Sequence, residues 1–358
     1  MRILVTGHTG YIGAVMTPLL LDAGHEAVGL DSDLFQGCAF APGLRVIPEL
    51  GLDIRDLQPS HMEGFDAVVH LAALSNDSLS NLNPDVTYDI NHAASVRLAR
   101  LAKEAGVQRF LFSSSCSLYG TSDGDLVAED ARLDPILPYS IAKVRVEQDV
   151  AKLADDAFSP TFLRNATSYG VSPRFNVELV LNNLVAWAYT GGRIYIKSDG
   201  SGWRPTVHVE DISRAFLAVL EAPREVVHNQ ALNVGLTEEN YTIRELAEIV
   251  RDVVPGARIE YAKNPVPTAR SYRVDFEKIR HLLPGFKPRW NARLGAEQLY
   301  VAYKATDFAI GDCEGPRFNR LAWLKLLLAR GRVDGALRWV DADGSSRPHP
   351  AAFMGAEG

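Results

Sequence analysis

Cysteine is scarce in this chain. Its three thiols, Cys38, Cys116 and Cys313, lie far apart among 358 residues and form no metal-spaced pair. So sparse and odd a set excludes a disulfide scaffold and points to a reducing compartment. A basic surplus is missing too. Net charge is -7, which leaves no field to hold nucleic acid or an anionic membrane. An anionic substrate must then be met by a few local arginines. No uninterrupted apolar run reaches the ~18 residues of a membrane span. Met1 leads straight into Ile3-Leu4-Val5, with no charged leader or cleavage site. The expectation is a soluble, cytoplasmic protein. Its length allows one nucleotide-binding domain with a smaller companion.

What is present is an alternation of short apolar runs and helical patterns over the first two-thirds, the pattern of a parallel sheet wrapped by helices. Strands are expected at Arg2–Thr6, Glu26–Leu30, Ala67–Leu71, Arg109–Ser113 and Pro160–Arg164. Helices are expected at Ile12–Ala23, Val86–Ala105 and Tyr139–Leu153. The strands read as apolar runs because both sheet faces are covered. After Gly170, prolines and glycines break the pattern around helix Val177–Tyr189, and a further helix spans Ile243–Val253. The expected organisation is a Rossmann-type doubly wound α/β domain over residues 1–170, to which 206–235 return. A smaller α/β substrate-binding domain takes 171–205 and 236–310. Residues 311–358 form an extension with a basic, Leu-rich helix, Arg317–Ala329, and a Gly/Ser/Pro-rich end expected to be disordered.

Thr6-Gly7-His8-Thr9-Gly10-Tyr11-Ile12-Gly13 follows the first strand and opens a helix. Gly7 permits the tight turn, Gly10 lets backbone approach a pyrophosphate, and Gly13 lets helix and strand pack closely. Amides at that helix N-terminus, around Tyr11 and Ile12, face phosphate charge. Asp31 ends the second strand, where a carboxylate bonds ribose hydroxyls and repels a 2′-phosphate, favouring NAD over NADP. Asp33 is a nearby competitor, read as a solvated loop acid. Asp53-Ile54 fits an adenine-edge contact. In His70-Leu71-Ala72-Ala73 the small residues suit a cofactor lying on the backbone, and His70 reads as a packed strand-end histidine.

Tyr139 and Lys143 are four residues apart and share one helix face. A phenol of pKa near 10 is a poor base at neutral pH, and an adjacent cation favours its phenolate. Ahead of them Phe112-Ser113-Ser114-Ser115 ends a strand, and the C-terminal end of a parallel strand is where such folds place chemistry. TGHTGYIG, HLAA, SSSCSLYG and YSIAK, in this order, resemble the extended short-chain dehydrogenase/reductase family acting on nucleotide-activated sugars, over roughly residues 1–305. RPTVHVED and NVG match it too.

The resemblance implies NAD as cofactor and Ser115, Tyr139 and Lys143 as hydrogen-bond donor, general base and activator. It places Asn91, Ser113, Tyr139 and Lys143 with the residues above around the cofactor. It implies substrate contacts at Ser115, Cys116, Thr167, Asn183, Leu184, Arg204, Thr206 and Arg270. Arg204 and Arg270 are its diphosphate arginines, since a guanidinium bonds phosphate bidentately. Thr167 departs from the family's asparagine; Tyr169 and Arg174 join Thr167 and Thr206 as specificity candidates. The resemblance also implies a homodimer through the helices at 86–105 and 139–153.

Family 4,6-dehydratases carry an Asp–Glu pair where this chain has Cys116 and Ser117, and related decarboxylases carry Glu at the second position. Both reactions are disfavoured. Cys116 has two readings: the acid/base cysteine of 3,5-epimerases, which aligns one residue later, or a small buried residue. The leading expectation is a 4-epimerase that takes and returns hydride through a 4-keto sugar. The alternatives are a 4-ketoreductase or other nucleotide-sugar modifier, and a dinucleotide-sensing regulator, against which the Ser–Tyr–Lys set argues.

Overall fold

The structure is a computed structural model that describes residues 1–40, 43–122, 125–265, 271–341 and 346–347. Seven strands form the central sheet: β1 Arg2–Thr6, β2 Glu26–Asp31, β3 Glu49–Gly51, β4 Ala67–His70, β5 Arg109–Ser115, β6 Ser159–Asn165 and β7 Gln230–Val234. All neighbouring pairs are parallel, in the order β7-β6-β5-β4-β1-β2-β3. The chain reverses its winding between β1 and β4, and such a switch opens a crevice at the strands' C-terminal ends.

Alternate side chains of each strand enter opposite layers, as the pleat requires. Leu4, Val68, Phe110 and Phe112 pack beneath α2 (Ser95–Glu104) and α3 (Pro138–Ala151). Ile3, Val5, Val69 and Leu111 pack beneath α1 (Gly13–Asp22) and α5 (Val209–Glu221). A third core holds the smaller lobe. It joins α4 (Val180–Gly191), α6 (Ile243–Val253) and α7 (Ala292–Ala305) around Tyr169, Phe175 and Tyr303.

Several boundaries differ from expectation. Residues 206–208 pair with Thr167–Tyr169, and the same strand's Trp203, Arg204 and Pro205 pair with Asn240–Thr242, in a separate three-stranded sheet. Only α5 and β7 return to the main one. The helix expected over 86–105 is interrupted by a π-turn at Asp89–Ala94. The C-terminal helix α8 starts at Arg320, capped by Asn319, and runs to Ala329. It is no separate piece: Leu324 and Leu327 sit in the layer of α2 and α3. Beyond Asp341 the end expected to be disordered lies outside the described residues, apart from Ser346–Arg347 pairing with Trp339–Val340. Among the described residues no helix is long and apolar enough to cross a membrane.

One buried network fixes α3 to the strand ends. The Arg164 guanidinium on β6 donates to the Glu147 carboxylate on α3 at 2.7 Å, and Ser114 Oγ on β5 donates to the same group. Arg164 also reaches the Tyr119 hydroxyl at 3.0 Å and the Glu129 carbonyl at 2.9 Å. Arg164→Met would leave the Glu147 charge buried without its partner. A loss of about 3–5 kcal/mol is expected, read as a fall in the urea midpoint with an unchanged slope. An unchanged midpoint would mean the network contributes nothing to stability.

Candidate functional site

The crevice is a cleft of about 400 Å³ running over the ends of β1, β2, β4, β5 and β6. Its floor depends on glycine. Gly7 has φ +74°, and a Cβ there would lie 2.8 Å from the Ala72 amide nitrogen. A Cβ on Gly13 would lie 2.2 Å from the Gly7 carbonyl oxygen. Only at these spacings does the first turn pack on both α1 and the strand beside it. Gly10, Tyr11 and Ile12 line the cleft just ahead of α1; the Gly10 amide donates to the Gly7 carbonyl at 2.9 Å, and the positive end of the helix favours an anion there.

At the other side of that turn Asp31 is held by the amides of Thr9 and Asp33, at 3.2 and 3.0 Å. Asp33 is not merely solvated: it accepts from Thr9 Oγ1 at 2.8 Å. Asp53 and Ile54 line the same end. Burial pushes the Asp53 pKa up, but bonds from Arg55 more than offset it and the net shift is downward.

Leu71, Ala72 and Ala73 continue the floor. Asn91, expected at the cofactor, does not line the cleft. It is buried in the π-turn, where Oδ1 accepts from the Leu74 amide at 2.8 Å and Nδ2 donates to the Leu74 carbonyl at 3.0 Å. It shapes the loop that forms the floor. His70 is fully buried between Thr6 and Ser95, and burial lowers its pKa to about 3. It is a neutral packing residue, as its motif position predicts.

The polar group at the cleft's other end comes from β5 and α3. Pro138 opens α3, so Tyr139 and Lys143 fall on its first two turns and face Ser113–Ser115. The Lys143 ammonium donates to the Ser113 carbonyl at 2.5 Å, and lies 4.4 Å from the Phe112 ring centre and 5.6 Å from that of Tyr139. Burial depresses its pKa to about 7, against a smaller opposing pull from Glu147. Ser115 Oγ accepts from the Ser117 amide at 3.1 Å and donates to Ser117 Oγ at 2.9 Å, which fixes its direction.

Of the expected substrate contacts, Ser115, Thr167 and Arg204 line the cleft. Others do not. Cys116 is fully buried, with its thiol 3.0 Å from the Arg164 carbonyl, and burial pushes its pKa well up. Its position removes it from the substrate contacts and from acid/base chemistry. Leu184 packs in the smaller lobe's core, and Asn183 is absent from the cleft wall. The neighbouring Asn182 turns inward instead, bonded to the Gly170 amide and the Tyr11 hydroxyl. Thr206 is buried with its hydroxyl on the Glu239 carbonyl. Tyr169 lies in the smaller lobe's core, and Arg174 is spent on the carbonyls of Thr9, Phe35 and Gln36. Arg270 lies outside the described residues.

Sequence reasoning missed part of the wall: Asn76, Asp77, Asn165, Asn176, Glu178, Tyr272 and Arg320. Asn76 and Asp77 follow HLAA closely and Asn165 ends the β6 apolar run, so position alone was a usable signal. Nothing local marks Glu178 or Arg320.

Residues 3–235 match the NAD dependent epimerase/dehydratase family. The chain belongs to that family. It is 31% identical over 294 residues to UDP-glucose 4-epimerase of Neisseria meningitidis serogroup A, covering 74% of this chain and 85% of the relative. A solved structure of MoeE5 in complex with UDP-glucuronic acid and NAD is 26% identical, with a TM-score of 0.74. That likeness covers 86% of this chain and all of the other. DesIV, the dTDP-glucose 4,6-dehydratase from Streptomyces venezuelae solved with NAD, is 27% identical at a TM-score of 0.73, covering 85% of this chain and 97% of its own. The chain shares its fold with these two solved structures, both of which hold NAD, and the matching family is NAD dependent. The cleft fits that cofactor: the glycine turn leaves no room for side chains where the dinucleotide backbone must approach, and an oriented carboxylate stands at the end of β2.

Proposed function

We propose that the protein is an NAD-dependent nucleotide-sugar epimerase acting at C4. The observation that carries this reading is the convergence of Ser115, Tyr139 and Lys143 at one end of the cleft whose other end is the glycine turn and Asp31. NAD, when bound, supplies the acceptor and donor for the hydride of the sugar carbon. The chain's own part is proton handling and orientation. Tyr139 takes the proton of the sugar hydroxyl and returns it, and Lys143 beside it favours the phenolate. The Ser115 hydroxyl, turning from Ser117 Oγ, donates to the reacting oxygen, while the Ser117 amide keeps its bond to Ser115 Oγ. Thr167 faces the sugar, and Arg204 meets the diphosphate. At positions 116 and 117 there is no carboxyl to move protons at neighbouring sugar carbons, which supports epimerisation over dehydration.

Asp31 supports NAD over NADP by the same logic as before. Three buried, unpaired cysteines support a reducing, cytoplasmic setting. The homodimer implied by the resemblance belongs to the same proposal. Exposed positions on its two helices include Arg97, Arg100, Arg145 and Gln148, so that interface would be polar.

A screen of UDP-, GDP-, CDP-, ADP- and dTDP-sugars tests the reading, with products resolved by NMR and NADH absorbance followed throughout. A stereoisomer differing at C4 with no net NADH change is the expected outcome. Net oxidation or reduction would replace the epimerase by a dehydrogenase or ketoreductase. A product altered at another carbon would end the C4 assignment.

A further inference from the structure

The C-terminal segment lies beyond the stretch that matches the family, yet it is built into the cofactor end of the cleft. Trp323 Nε1 on α8 donates to the Leu34 carbonyl at 2.7 Å, and its ring lies so close to Gly37 that a Cβ there would sit 2.1 Å away. Trp339 Nε1 donates to the Ser32 carbonyl at 2.6 Å. Arg338 pairs with Asp56 and Asp53, and Arg55 donates to the Ala336 carbonyl at 2.9 Å. The segment therefore grips both the loop after β2 and the Asp53 turn.

Arg320 stands at the centre of this contact. It is 3% exposed and lines the cleft with Gly10, Tyr11, Asp31 and Phe35. Its backbone amide donates to Glu178 at 2.8 Å. Nη2 donates to the carbonyls of Arg174 and Phe175 at 3.0 and 3.3 Å, and the guanidinium stacks 4.4 Å from the Phe35 ring centre. Nη1 is buried and has no hydrogen-bond partner. An orphaned donor on a buried cation is costly, and native structures tolerate it where a ligand completes it. The nearby Arg174 has no such vacancy, because carbonyls take up its guanidinium.

We propose that Arg320 is a direct ligand of the diphosphate of bound NAD, with the rest of the segment to residue 341 buttressing the β2 loop and the Asp53 turn that wall the adenosine half of the site. The diphosphate is the anionic part of that cofactor. It is already drawn to this place by the N-terminus of α1, which Ile12 caps just after Gly10 and Tyr11. Asp31 beside it suits neutral ribose hydroxyls and repels phosphate, so the two charges sort the cofactor's parts along the wall. The sugar nucleotide also carries a diphosphate, but Arg204 is on the opposite lobe, whereas Arg320 stands with the β2 loop.

The inference rests on NAD occupying this cleft, and one set of titrations separates the two. Full-length protein freed of NAD is titrated calorimetrically with NAD, ADP, adenosine and UDP, as wild type and as Arg320→Gln and Arg320→Lys. Arg320→Gln should weaken NAD and ADP by roughly 10- to 100-fold, with adenosine and UDP changed by less than about 2-fold. Arg320→Lys, which keeps the charge and loses the fork, should fall between. It carries the test if the Gln variant does not fold. Wild type that binds NAD while neither variant weakens ADP would overturn the inference and leave the cofactor site intact. So would equal losses for ADP and adenosine, which mark a collapsed wall, or a larger loss for UDP than for ADP. Wild type that fails to bind NAD would refute the cofactor assignment itself.

Discussion

Tyr139→Phe should lower turnover by ~10³-fold or more while NAD stays bound, because the variant loses the group that carries the proton and nothing else. The ring itself is kept, so α3 should keep its seat against β5. Tyr139 is on the first turn of α3, four residues from the ammonium of Lys143, whose nitrogen lies 5.6 Å from the Tyr139 ring centre. The buried Glu147–Arg164 pair holds that helix from behind. Cofactor content, read from the nucleotide released on denaturation, should match wild type. Turnover with the substrate found in the nucleotide-sugar screen should be lost in kcat more than in KM. A variant within about tenfold of wild type would mean that another group removes the proton. Simultaneous loss of NAD would mean that the hydroxyl serves binding before chemistry.

The parts of this molecule legible in the sequence are those fixed by local chemistry. The parallel strands show themselves as apolar runs because both faces are covered, and the cofactor turn shows itself because three glycines do three steric jobs. What escaped depends on direction or on distant packing. Asn183 was expected at the substrate, but on a helix one residue is about 100° of rotation, and it is Asn182 that turns inward to Tyr11 and Gly170. Cys116 fails for the same kind of reason: on the turn after β5 it is Ser117 that lines the cleft while the thiol points down to the Arg164 carbonyl.

Helix α7 was hidden by its interior Gly295, a weak helix former. The glycine is there because the Tyr169 ring occupies the place of a side chain, with a ring carbon 2.2 Å from where a Cβ would stand. Arg320 had no local signature at all. Its neighbours Phe35, Arg174 and Glu178 are far away in the chain, and only the docking of α8 brings them together.

Lys143→Met should abolish turnover, by ~10³-fold or more, and at the same time stabilise the cofactor-free protein below neutral pH. The ammonium is 3% exposed, and burial lowers its pKa from 10.5 to about 7. The sign follows from proton counting. Between about pH 7 and pH 10.5 the unfolded chain holds a proton on this lysine that the folded chain has lost, so stability from this group rises with pH through that window. Below pH 7 both states are protonated, and the folded protein bears the full desolvation penalty of the cation. Methionine has a similar length, no charge and a soft side chain suited to the same apolar walls. The variant should therefore melt several degrees above wild type at pH 6, and the gap should narrow steadily toward pH 10. Melting curves of the two proteins across that range, both free of NAD, isolate this lysine from every other group titrating there. A variant less stable than wild type at pH 6 would show that the bond to the Ser113 carbonyl and the contact with Phe112 outweigh burial of the charge. A gap that does not change with pH would show that Lys143 keeps an ordinary pKa in the folded protein. The expected pattern would establish that the lysine most needed for catalysis is held at a cost to the fold, as functional groups in a desolvated cleft commonly are.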